Sequence, residues 1–88
     1  MEKKIYSIRD NKVGTFSPPT HASHETELTR VLSEIVQCQT EHNFHKYPQD
    51  YELFQLGTFN EETGKLKVFD EKLFILNLTD LIPKKGDN

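Results

Sequence analysis

The sequence has little of what secreted, membrane-spanning or nucleotide-binding proteins depend on. It holds one cysteine, Cys38, which cannot close an internal disulfide, whereas a small secreted domain carries several. No apolar run approaches the ~18–20 residues of a membrane span. The start, Met1-Glu2-Lys3-Lys4, is charged and leads into an alternating segment, without the apolar core of a signal peptide. The four glycines are scattered, so none forms a phosphate-cradling loop. Positive charge is scarce too: eleven Lys and Arg stand against fourteen Asp and Glu, a net charge of −3. Coating DNA by neutralising phosphates requires a basic surface, and the only basic blocks are Lys3-Lys4 and Lys84-Lys85. The expectation is a soluble protein of a reducing cytoplasm, with no membrane contact. At 88 residues it forms a single domain, 1–88, that buries only roughly 60–65% of its unfolded surface.

Along the chain, Ile5, Tyr6 and Ile8 make a β-rich run from Lys4 to Arg9, stopped by the turn-prone Asp10-Asn11-Lys12. Val13-Gly14-Thr15-Phe16 is a candidate second extended piece. Ser17-Pro18-Pro19 then forces a loop-like path. Leu28, Val31, Leu32, Ile35 and Val36 fall at i, i+3, i+4, i+7 and i+8, one apolar stripe at helical spacing. Ser23 is a candidate N-cap, and Glu25 and Glu27 sit where the helix dipole favours negative charge. The spacing predicts an amphipathic helix over His24–Thr40.

Pro48 bars any continuation of that helix, and Tyr51–Phe59 reads as a strand. Asn60-Glu61-Glu62-Thr63-Gly64 forms a hairpin loop, and Lys65–Phe69 returns as the next strand. The register of this hairpin stays open, and a one-residue slip would exchange its faces. Tyr51–Phe59 is apolar on both sides: Tyr51, Leu53 and Phe59 point one way, Phe54 and Leu56 the other. One helix covers only one face of a small sheet. The second face requires either the apolar segment Leu73–Leu78 or a second copy of the protein. That segment reads as a strand or an extended docking piece. It runs on through Leu81-Ile82 to Pro83, and 84–88 is expected to fray.

Chemistry-bearing residues do not converge. His21-x-x-His24 and His42-x-x-His45 supply metal-ligand types, but they flank a helix of ~17 residues that holds them about 25 Å apart. Cys38 lies late in the helix, away from the end that lowers a thiol pKa. Asp50, Glu52, Glu61, Glu62, Asp70 and Glu71 show no spacing that implies acid–base work. No catalytic, metal or cofactor site is expected. Arg9, Lys12, Lys65 and Lys67 fall on strands and turns that could be neighbours, a candidate patch for nucleic acid or another partner.

The run His45–Gly64 resembles the small non-structural protein family of gokushovirus-type microviruses, single-stranded DNA phages. That family shows a Pro-x-Asp-Tyr-x-Leu-Phe-x-x-Gly-x-Phe-Asp-x-x-Thr-Gly pattern. Pro48, Asp50, Tyr51, Leu53, Phe54, Gly57, Phe59, Thr63 and Gly64 match it here, with Asn60 in place of the aspartate. The opening strand, the Pro18-Pro19 pair and the helix follow in the family order, so the resemblance covers about residues 4–69 and implies no role for the tail after Glu71.

The fold expected is α+β: a small sheet with one amphipathic helix on one face, in the order strand–helix–strand–strand, plus an extended C-terminal segment. The resemblance implies a non-enzymatic accessory protein in the bacterial host cytoplasm, acting in viral single-stranded DNA synthesis or genome packaging. Its partners would be viral replication or capsid proteins, with at most weak DNA contact. The alternatives are a modulator of a host protein and, more distantly, a metal-dependent enzyme. A homodimer is expected as well, with Tyr51, Leu53 and Phe59 as its face, because soluble monomers avoid a contiguous apolar patch.

Overall fold

Two short fragments separated by Pro18-Pro19, rather than one strand, line the outer edge of the opening strand in the computed structural model, which describes residues 2–83. The expected frayed end, 84–88, lies outside the described residues. Strand β1 (Glu2–Asp10) is followed by β2 (Thr15–Phe16), β3 (Thr20–Ala22), helix α1 (Glu25–Cys38), the single turn α2 (Asn43–Lys46), β4 (Tyr51–Asn60) and β5 (Leu66–Asn77). Short 3-10 turns occupy Pro48–Asp50 and Leu78–Leu81. The sheet is antiparallel, ordered β2-β1-β4-β5, with β3 also on β1. The fold is α+β, five strands with one main helix and a C-terminal segment.

β2 pairs with Arg9 and Asp10, and β3 with Lys4, Ile5 and Tyr6. Pro18 and Pro19 have no N–H to give a ladder between them. Ser17 bridges that gap: its N–H donates to the Ile8 carbonyl at 2.8 Å, and its Oγ accepts from the Ile8 N–H at 3.0 Å. Ser7 Oγ donates to the Ser17 carbonyl at 2.7 Å, which satisfies a hydroxyl that is otherwise shut away from water. β3 leaves no signal in the sequence, because three residues after a double proline carry no periodicity.

Helix α1 starts one residue later than predicted. His24, not Ser23, is the N-cap, and Glu27 reaches back so that its Oε1 accepts the backbone N–H of Ser23 at 3.0 Å and of His24 at 3.2 Å. These two bonds hold the Glu27 carboxyl below its ordinary pKa. Leu32 and Val36 of the stripe are buried, with Leu28 packed against them, but Val31 is exposed. The buried core is Tyr6, Ala22, Leu32, Val36, Leu53 and Leu78, so the helix sits over the junction of β1 and β4.

The larger departure concerns the C-terminal half. Lys65–Phe69 and Leu73–Leu78 are not a strand and a separate tail. They are the two ends of β5. Against β4, Gly57 pairs with Val68 while Gln55 pairs with Leu73, so the stretch 69–72 bulges out. The three consecutive charges Asp70-Glu71-Lys72 in this bulge interrupt the hydrophobic alternation and hide the continuity from a sequence reading. The apolar segment therefore lies beside β4 rather than across the sheet. Only the turn after it moves under the helix: Leu78 is fully buried, and Gln37 Nε2 donates to the Leu81 carbonyl at 2.9 Å. Asn77 starts that turn, its Oδ1 accepting the Thr79 N–H at 2.9 Å.

Candidate functional site

β4 has two apolar faces, and α1 covers one of them. Leu53 is 0% exposed in the core, and Tyr51 packs at a tilt against Phe44 of α2 with ring centroids 4.8 Å apart. Those two residues therefore cannot form the expected dimer face, since the chain's own helices occupy it. Phe59 does not share their side either. One extra residue, Leu56, stands between Gln55, paired with Tyr6, and Gly57, paired with Ile5. That bulge shifts the phase, so Phe59 falls in register with Gly57 and not with Leu53.

The face left open is the one that carries Phe54. Ser7, Phe54 and Phe74 are cross-strand partners on β1, β4 and β5. Phe16, on β2, completes a row. Its ring lies 5.7 Å from that of Phe54 at 68°, and Phe54 lies 5.7 Å from Phe74 at 75°. Both are edge-to-face contacts of the favourable kind. Two cations rest on the end of the row: the Arg9 guanidinium is 5.3 Å and the Lys72 Nζ 5.4 Å from the Phe16 centroid, within cation–π range. Lys72 comes from the bulged stretch of β5 and reaches over the row from the opposite edge of the sheet.

Toward the hairpin tip the same face becomes an apolar cleft of about 210 Å³, walled by Ile5, Pro19, Leu56, Leu66 and Val68. Leu66 is 66% and Val68 73% exposed. Gly57 forms the floor because the Lys67 carbonyl comes so close that a Cβ there would collide with it. Gly64, at φ +75°, holds the hairpin turn, with the Asn60 Oδ1 accepting the Glu62 N–H at 2.9 Å. Asn60 thus supplies the side-chain acceptor that the turn uses.

The basic quartet does not assemble. Arg9 pairs with Glu52 and Lys67 with Thr58, six residues apart along β4, or about 20 Å. Arg9 stands with Phe16, and Lys12 lies 6.0 Å from the Tyr47 ring, while Lys65 and Lys67 belong to the hairpin tip. The histidines of the second pair have structural partners instead: His42 Nδ1 accepts the Phe44 N–H at 3.0 Å, and His45 Nδ1 meets the Val36 carbonyl at 2.6 Å. Among the described residues no group of three His, Cys, Asp or Glu is placed to share a metal ion, and no helix is long and apolar enough to cross a membrane.

The sequence reading missed Phe16, Phe74 and Lys72 as a group. Phe54 was legible as facing away from Leu53, but the others join it only through the register of β1 with β2 and the bulge in β5.

Compared with known proteins, the chain matches the model of the Phage ORF5 protein family over residues 3–81. No curated protein and no solved structure matches it. The family match passes Glu71 and takes in all of β5 and the buried Leu78 turn, so the C-terminal segment belongs to the shared fold. With all but nine of its 88 residues inside that match, the chain is a member of the Phage ORF5 protein family.

Proposed function

We propose that this phage protein is a non-enzymatic accessory factor of a gokushovirus-type single-stranded DNA phage. It acts in the host cytoplasm during viral single-stranded DNA synthesis or genome packaging, by binding viral replication or capsid proteins. The observation that carries the reading is the open sheet face opposite α1. Its groups are aromatic and aliphatic, with cations at one end, a chemistry that binds a surface rather than moving protons. Exposed apolar side chains gathered on one face mark an interaction site.

The cleft end of the face is assigned to a second copy. A two-fold contact presents the protruding Leu66 and Val68 of each copy to the same cleft of the other. The homodimer expected from the sequence is retained, on the face opposite the one first expected.

Three experiments test these statements. Deleting the gene from the phage should leave duplex replicative DNA and reduce packaged single strands. A pull-down from infected cells should recover viral replication or capsid proteins, and recovery of one host protein alone would favour a host modulator instead. For the second copy, sedimentation equilibrium should give a dimer that Val68→Lys returns to 10.3 kDa. A wild-type chain that stays at that mass into high micromolar concentration would refute the dimer.

A further inference from the structure

The geometry points to a single-stranded DNA site on the aromatic row Phe16–Phe54–Phe74, with Arg9 and Lys72 as its phosphate contacts. The inference rests on the proposed role in phage DNA synthesis and specifies what the open face holds.

Three rings in a continuous row, on one face of a sheet, are what unpaired bases stack upon. The outermost, Phe74, is 51% exposed, so a base meets it without rearrangement of the fold. The cations are placed where a backbone would pass. Arg9 and Lys72 both lie over Phe16, and a base arriving on the row displaces the flexible lysine stem outward, toward its own phosphate. Arg9 is also steadied from the side, its Nε donating to Asn11 Oδ1 at 2.8 Å, so its guanidinium is presented in a set orientation.

Charge selects single strands over duplex. The chain as a whole carries −3, Glu52 is the cross-strand partner of Arg9, and Asp70 and Glu71 precede Lys72. Duplex DNA hides its base faces and offers mainly phosphate, which two cations amid these carboxylates hold poorly. A single strand adds stacking, which does not depend on net charge. A wholly apolar segment would bury the two cations without a counter-charge and strip their hydration, whereas the phosphates of a strand pair with them, so a viral protein that docks on this face does so beside the strand.

The test is fluorescence anisotropy of the full chain with labelled dT20 and with a 20-base-pair duplex. Binding to dT20 should exceed binding to the duplex, with a log–log salt slope of about −1.4 for two phosphate contacts. Phe74→Ala should weaken dT20 binding roughly tenfold, one lost stacking partner. Lys72→Gln should reduce the slope to about −0.7. Both side chains are exposed, and a wild-type melting curve for each variant separates lost binding from lost fold. Equal affinity for duplex and single strand, or an unchanged Kd in Phe74→Ala, overturns the inference. So does a Phe74→Ala variant that loses its viral protein partners while holding dT20 as before. If dT20 is not bound but gene deletion still removes packaged single strands, the DNA site fails and the accessory role stands. If dT20 is bound as described and deletion changes nothing, the site stands and the accessory role fails.

Discussion

Replacing Tyr6 by phenylalanine should make the protein more stable. Tyr6 is fully buried where β1 meets the helix, and its hydroxyl has no hydrogen-bond partner among the described residues. Burying an unpaired hydroxyl costs about 1–3 kcal/mol, while the ring supplies apolar burial that phenylalanine keeps. The substitution should therefore raise stability by about 1 kcal/mol, with the upper limit near 3. For a domain of this size, each kcal/mol raises Tm by about 4–8 °C. A second signature appears in alkali. Burial, and then the nearby Glu25 carboxylate, push the Tyr6 pKa up from 10.0. The folded form thus keeps its proton at pH values where the unfolded chain has lost it. Stability is intact below pH 10.0 and falls as the pH rises from there through the folded value. Tyr6→Phe would remove that share of the alkaline loss, while Tyr51, raised in the same way, would keep its own. Thermal melts at neutral pH and urea titrations at neutral and alkaline pH measure both effects. A Tm that is unchanged or lower in the variant would refute the reasoning, because it would mean that the hydroxyl is satisfied in the folded protein.

Other substitutions probe the remaining layers. Leu32→Asp sets an unpaired carboxylate among the core residues, at a cost of several kcal/mol against a total of roughly 4–13 kcal/mol for a chain this long; loss of cooperative melting is expected, and a near-wild-type melt would remove the helix stripe from the core. Gly57→Ala drives a Cβ into the Lys67 carbonyl and should cost about 1–3 kcal/mol, seen as a lower Tm, whereas an unchanged Tm would mean that β5 does not approach β4 there. Glu27→Gln removes the charge that the two backbone donors hold ionised; because the folded pKa is lowered, the wild-type advantage should be present at neutral pH and vanish as the pH falls through that value. Circular dichroism melts of both chains from about pH 7 to about pH 3 follow it across the carboxylate range, and parallel curves would show that the cap does not depend on the carboxylate.

The sequence alone determined the parts of this protein that rest on local periodicity and backbone chemistry. The apolar spacing of Leu28, Leu32 and Val36 places a helix, the alternation from Tyr51 to Phe59 places a strand with two apolar faces, and Gly64 marks the hairpin turn. It also determined that one helix leaves one sheet face open. Tertiary structure decided which face that is. The choice depends on where Leu32 and Val36 find partners, and they meet Leu53, Tyr6 and Leu78, residues far apart in sequence. Register decided the rest. The extra residue at Leu56 turns Phe59 away from Leu53, and the bulge before Leu73 joins two segments that read as separate and delivers Lys72 to the ring of Phe16. A bulge changes which side chains share a face without changing composition or period enough to be read along one strand. It exists only in the pairing of two strands, and so the aromatic row and its cations come into being only when the sheet closes.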